Sequence, residues 1–99
     1  MRWPELPRKP VERRSSETQL RLPSDVALHA RPAAVFVRTA MGFDAEITVI
    51  NGEREADAKS LMAVLALGAT GGTELVVRAQ GDDASGAVEA LAGCVAEFG

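Results

Sequence analysis

Hydrophobic and polar positions along the chain switch between two periods, and the switches outline seven elements. Thr18, Leu20 and Leu22 alternate with Glu17, Gln19 and Arg21, the two-residue period of a half-buried strand. After a turn-like Pro23-Ser24-Asp25, the residues Ala33, Phe36, Val37 and Ala40 recur at the spacing of one helical stripe. Gly42 is expected to end that helix as a C-cap glycine. Phe43, Ala45, Ile47 and Val49 alternate with Asp44, Glu46 and Thr48 as a second strand. Asn51-Gly52 signals a tight hairpin. It leads into a short polar strand near Glu53–Ala58, expected at a sheet edge. Ser60, a favoured N-cap residue, opens a helix carrying Leu61, Val64, Leu65 and Gly68. Gly71-Gly72 makes a turn, and Leu75, Val77 and Ala79 then alternate with Glu74, Val76 and Arg78 as a fourth strand. Gly81-Asp82-Asp83 is expected to cap a last helix, with the stripe Ala84, Ala87, Val88, Leu91, Val95 and Phe98.

The element order is therefore β-α-β-β-α-β-α. Helices this apolar on one side need a sheet to cover. Four strands with three helices on one face make an α/β two-layer open-faced sandwich, of α+β type. The order contains no internal repeat.

Composition bounds the rest. Ninety-nine residues make one small domain with an ordinary 46% hydrophobic content. Aromatic residues are few (Trp3, Phe36, Phe43 and Phe98), so the core must be aliphatic. Residues 1–16 hold three of the five prolines, five of the eleven basic residues and almost no apolar periodicity. They read as a disordered basic extension, or as residues upstream of the true translation start, ahead of a domain spanning 17–99. Net charge is −3, with +2 on residues 1–18 and −5 on the remainder. An acidic folded part argues against nucleic-acid binding. Cys94 is alone, so no internal disulfide forms, and no Cys/His cluster suggests a metal. It reads as a small packed hydrophobe. A reduced, cytoplasmic setting fits best. No apolar run is long enough to span a membrane, and the N-terminus lacks the apolar stretch of a secretory signal.

The chemistry concentrates at the single histidine, in Val26-Ala27-Leu28-His29-Ala30-Arg31-Pro32-Ala33-Ala34. Proline is favoured in the first turn of a helix, so Pro32 places His29 at a helix mouth. Free N–H groups and a positive dipole end attract anions there, phosphate above all. An imidazole, a guanidinium and a helix start together suggest phosphate handled on histidine. A surface or structural histidine is the bland alternative.

Three motifs in this order and spacing resemble HPr, the histidine-containing phosphocarrier family of the bacterial sugar phosphotransferase system. They are Leu28-His29-Ala30-Arg31-Pro32-Ala33-Ala34, Gly42-Phe43-Asp44-Ala45-Glu46-Ile47-Thr48-Val49, and Asp57-Ala58-Lys59-Ser60-Leu61-Met62 with Leu67-Gly68 and Gly71-Gly72-Thr73. The resemblance runs from Glu17 to Phe98. It implies a four-stranded antiparallel sheet covered on one face by three helices. It also implies that His29 accepts a phosphoryl group from phosphorylated enzyme I, on Nδ1, and passes it to an enzyme IIA domain. On that reading the protein is a stoichiometric relay rather than an enzyme, needs no cofactor, and is a monomer.

The physics agrees with the resemblance. Neutral imidazole is a good nucleophile near pH 7, and a positive helix end disfavours its protonated form. Arg31 would clamp the phosphate through paired, charge-assisted hydrogen bonds. Ser60 matches the family's regulatory serine, which a kinase phosphorylates in some lineages. The resemblance thus adds an HPr kinase/phosphorylase and a catabolite-control transcription factor as partners. A plain N-cap is the alternative for Ser60. Ala30, Arg38, Leu61 and Met62 are the expected partner contacts, while Phe36 and Leu65 are expected in the core. Ala27 departs from the family, which commonly has glycine there. Three other functions stay open: a nitrogen-system or dihydroxyacetone-kinase-system paralogue, a docking module controlled at Ser60, and a ligand-binding sandwich with a structural His29.

Overall fold

A computed structural model describes residues 15–24 and 30–98. Its elements are β1 (Ser15–Arg21), α1 (Ala30–Met41), β2 (Glu46–Asn51), β3 (Arg54–Asp57), α2 (Leu61–Ala66), β4 (Glu74–Gln80) and α3 (Ala84–Ala96). The strands form one sheet in the order β1-β4-β2-β3, with every neighbouring pair antiparallel. α3 packs on β1, β4 and β2, α2 packs on β3, and α1 packs against both other helices. This is the expected open-faced sandwich, with the short polar β3 at one edge.

The core follows the two periods. Leu20, Ile47, Val49, Leu75, Val77 and Ala79 point from alternate strand positions into it. They meet Ala33, Phe36, Val37 and Ala40 from α1 and Ala84, Ala87, Val88, Leu91 and Val95 from α3. Among the described residues Phe36 is the largest side chain buried completely, worth about 1.5–3 kcal/mol over exposure.

Local details differ from the sequence expectations in instructive ways. β1 begins at Ser15, two residues before the expected strand, because Ser15 and Ser16 pair with Gln80 and Ala79 of β4. Residues 1–14 of the expected extension lie outside the described residues. Gly42 is not a left-handed cap, since its φ is not positive. α1 instead tightens, with Gly42 N–H donating to Thr39 O at 3.1 Å and Phe43 N–H to Ala40 O at 3.2 Å. The left-handed terminator belongs to α2, which ends six residues after Ser60 and is followed by Gly68 at φ 64°. Gly68 therefore stops the helix rather than riding on it.

The hairpin is shifted by one residue. Asn51 pairs with Arg54, so the two turn residues are Gly52 and Glu53. Gly52 alone has a positive φ, the type II′ pattern rather than the type I′ pattern of a central Asn-Gly. Asn51 is free to donate through Nδ2 to Leu67 O at 3.0 Å, tying the hairpin to the end of α2. Asp83 occupies the N-cap position of α3 but makes no side-chain cap bond. Its carboxylate accepts the N–H groups of Asp44 at 2.8 Å and Ala45 at 2.9 Å. β2 accordingly starts at Glu46, after this clip.

Candidate functional site

Residues 25–29, including Ala27 and His29, lie outside the described residues. The structure describes the two flanks of that segment. On the upstream side, the chain leaves β1 through Leu22, Pro23 and Ser24. Leu22 bonds in both directions with the 71–73 turn: its N–H donates to Thr73 O and its carbonyl accepts Gly72 N–H, each at 3.0 Å. On the downstream side, α1 starts at Ala30, the residue after the histidine.

Ala30, Arg31 and Pro32 open α1, and its first turn carries no acidic residue. Ala30 and Arg31 are exposed. Pro32 has no N–H to leave unsatisfied, so the proline is tolerated there. The burial of Ala33 and Phe36 one turn on fixes this helix end in place. Among the described residues, the Arg31 guanidinium has no hydrogen-bond or ion-pair partner. An exposed cation in the first turn of a helix can take phosphate oxygens.

Arg31 and Pro32 also form one end of an open groove of about 610 Å³ between α1 and α3. Val35 and Thr39 line its α1 side, and Cys94 and Glu97 line its α3 side. Thr39 Oγ1 donates to Val35 O at 2.9 Å and approaches Cys94 Sγ at 3.9 Å. Burial pushes the Cys94 thiol above its usual value, the Thr39 hydroxyl partly offsets this, and the Glu97 carboxylate adds to the rise. A thiol held neutral in this way matches the reading of Cys94 as a packed, unreactive side chain.

Ser60 is a true N-cap. Its Oγ accepts the Ala63 N–H at 3.2 Å, and its own N–H donates to Asp57 O at 3.0 Å. Asp57 Oδ1 accepts the Lys59 N–H at 2.9 Å, and Lys59 Nζ donates to Phe43 O at 2.6 Å. The approach to α2 is thereby held against the start of β2. Beyond the cap, Leu61 is 39% and Met62 76% exposed. Arg38 is exposed in the last turn of α1, the helix that packs against α2. Phe36 is fully buried and Leu65 packs partly buried against the core, as expected for both.

Two exposed apolar side chains on α1 were not singled out from sequence: Val35 at 41% and Met41 at 64%. Val35 falls off the stripe Ala33, Phe36, Val37, Ala40, whereas Met41 continues it four residues after Val37, so the helical period signals only the first. No helix among the described residues is long and apolar enough to cross a membrane.

Comparison with known proteins points one way. The family model described as "PTS HPr component phosphorylation site" matches residues 16–97. The phosphocarrier protein HPr of Vibrio cholerae is 44% identical over 75 residues, covering 76% of this chain and 88% of that protein. HPr of Haemophilus influenzae is 50% identical over 64 residues, covering 65% of this chain and 75% of that protein. The solved structure of HPr-C-His from Thermoanaerobacter tengcongensis superposes with a TM-score of 0.78 at 36% identity, covering 82% of this chain and 91% of that one.

Proposed function

Because the chain belongs to the HPr family of the phosphotransferase system, we propose that it carries a phosphoryl group on His29 between two protein partners. The donor in this reading is phosphorylated enzyme I, and the acceptor is an enzyme IIA domain of a sugar transporter. An imidazole nitrogen of His29 forms the new bond to phosphorus. The bond from phosphorus to its donor atom breaks, and the electron pair stays with the donor. The reverse exchange hands the group on. The protein is thus a stoichiometric intermediate and works in the cytoplasm.

The first turn of α1 is the observation that carries this reading. It has no acidic residue, and it presents an exposed Arg31 with no hydrogen-bond or ion-pair partner among the described residues, two residues after the histidine. Phosphoryl transfer is mostly positioning and charge stabilisation, which a guanidinium and helix N–H groups supply. Ala30, Arg38, Leu61 and Met62 are the proposed partner contacts, and all four are exposed. Ser60 is the proposed regulatory site. Phosphate on Ser60 would add about −1.5 to −2 of charge beside the exposed Leu61 and Met62. That charge would oppose an acidic partner surface. It also gives an HPr kinase/phosphorylase and a catabolite-control transcription factor a handle.

Incubation with enzyme I and phosphoenolpyruvate, read by intact mass, tests the relay. The expected product is one acid-labile phosphate, absent from His29→Ala. No mass gain with a competent enzyme I overturns the proposal.

A further inference from the structure

We infer that Asn51 and Arg54 are positioning residues: from the C-terminal end of α2 they set how that helix presents Leu61 and Met62 to enzyme I. This rests on the phosphocarrier reading above. The two residues face each other across the last rung of the β2–β3 ladder. Ile47 and Val49 on β2 and Ala56 on β3 are buried, so by the two-residue period this rung belongs to the helix-covered face of the sheet. Both side chains reach the end of α2. Asn51 Nδ2 donates to Leu67 O at 3.0 Å, and the Arg54 guanidinium donates to Ala66 O at 3.2 Å.

These bonds complete the helix end. A helix leaves its last carbonyls without intrahelical donors. Val64 O accepts Leu67 N–H at 3.1 Å, and Leu65 O accepts Gly68 N–H at 3.2 Å. The chain then turns away at Gly68, with φ 64°. Ala66 O and Leu67 O take their donors from the hairpin instead.

The rotation of α2 depends on this. Val64 is its buried residue, and Leu67 is buried just past its end. Positions three apart share one line along a helix. One buried line fixes where the helix lies and leaves its roll to be set at the ends. Ser60 Oγ holds the first end through Ala63 N–H, and Asn51 and Arg54 hold the other. α2 spans only Leu61–Ala66, so a roll at its last turn is carried to the exposed Leu61 and Met62 in its first. Residues that touch no partner but hold a contact element commonly change binding severalfold.

The test compares the full chain with Asn51→Ala, Arg54→Ala, Arg54→Lys and the combined Asn51→Ala, Arg54→Ala variant. Three readouts are taken: KM and kcat for each chain as phosphate acceptor from enzyme I, the rate of phosphorylation by phosphoramidate, which involves no docking, and amide exchange at Leu67 and Gly68. Asn51→Ala leaves the charge unaltered and is expected to raise KM about threefold or more, with kcat and the phosphoramidate rate unchanged and faster exchange at both amides. The combined variant should raise KM further. Arg54→Lys keeps the charge and a donor, and should restore most of what Arg54→Ala loses. Asn51→Ala with an unchanged KM, or with equal losses in both phosphorylation reactions, overturns the inference and leaves the carrier reading intact. Should Asn51→Ala fail to fold, Arg54→Ala carries the test, and a KM equal to that of the unmodified chain overturns the inference. An unmodified chain that takes phosphate from neither donor overturns both.

Discussion

The carboxylate of Asp83 holds the backbone of Ala45 from 38 residues away, its Oδ1 accepting the Ala45 N–H at 2.9 Å. Its other oxygen accepts the Asp44 N–H at 2.8 Å. Gly81 makes this approach possible, since a Cβ there would lie 2.9 Å from Ala45 Cα. The clip joins the start of α3 to the start of β2. Asp83→Ala is expected to destabilise by about 2 kcal/mol, the scale of losing hydrogen bonds to a charged group. Asp83→Asn should lose roughly half of that, since one acceptor oxygen remains. Urea unfolding at neutral pH measures both.

Arg31 is exposed and has no hydrogen-bond or ion-pair partner among the described residues. Arg31→Ala is expected to keep the same unfolding midpoint while phosphotransfer from enzyme I falls about tenfold or more, the scale of a lost charge-assisted contact of about 1.5–3 kcal/mol. Arg31→Lys should recover only part of the rate, because an ammonium lacks the paired donors. A shifted midpoint with unchanged transfer would refute the clamp role.

Ser60 separates capping from charge. Ser60→Ala removes the acceptor for Ala63 N–H and is expected to cost about 1 kcal/mol, with little effect on phosphotransfer. Ser60→Asp keeps a cap and adds a negative charge. It should retain stability and raise the KM for enzyme I. Equal kinetics for the two variants would remove Ser60 from the proposed regulation.

Met62 is 76% exposed, so truncation costs the fold little. Met62→Ala is expected to weaken docking of enzyme I with no change in phosphorylation by phosphoramidate, a small donor that needs no protein partner. A parallel loss in both reactions would show that the side chain acts on the histidine and not on the partner.

Cys94 sets a pH dependence. Its thiol is raised from 9.0 mainly by burial, so the folded chain holds the proton more tightly than the unfolded one. The contribution to stability is full below the unfolded value. It is lost as pH rises above about 9 toward the folded value. Alkylation of the folded chain should therefore inflect at higher pH than alkylation in denaturant. Cys94→Ala should flatten the alkaline fall in stability. Coincident inflections would contradict the burial assignment.

Much of this molecule is written in local periods. The stripe Ala33, Phe36, Val37, Ala40 marks α1, and the alternation Leu75, Val77, Ala79 marks β4. Such patterns are legible because each element must bury one face, whatever it packs against. The exposed cation at the start of α1 was legible too, since proline and the residues around it act within one turn. Glycines and polar caps were less so. Gly42 follows α1 without the left-handed conformation of a cap, and Gly68, expected on a helix, ends α2 instead, because where a helix stops depends on what the next segment must reach. Asp83 looked like a cap and became a clip, because its better partners lie 38 and 39 residues away in sequence. By itself the sequence determined the element order, the buried faces, and the position of His29 just ahead of a helix start. Tertiary structure decided that no side chain fits at Gly71 beside the Ser24 backbone and that Asp83 holds Ala45. Both depend on distances between backbones remote along the chain, which no local pattern records.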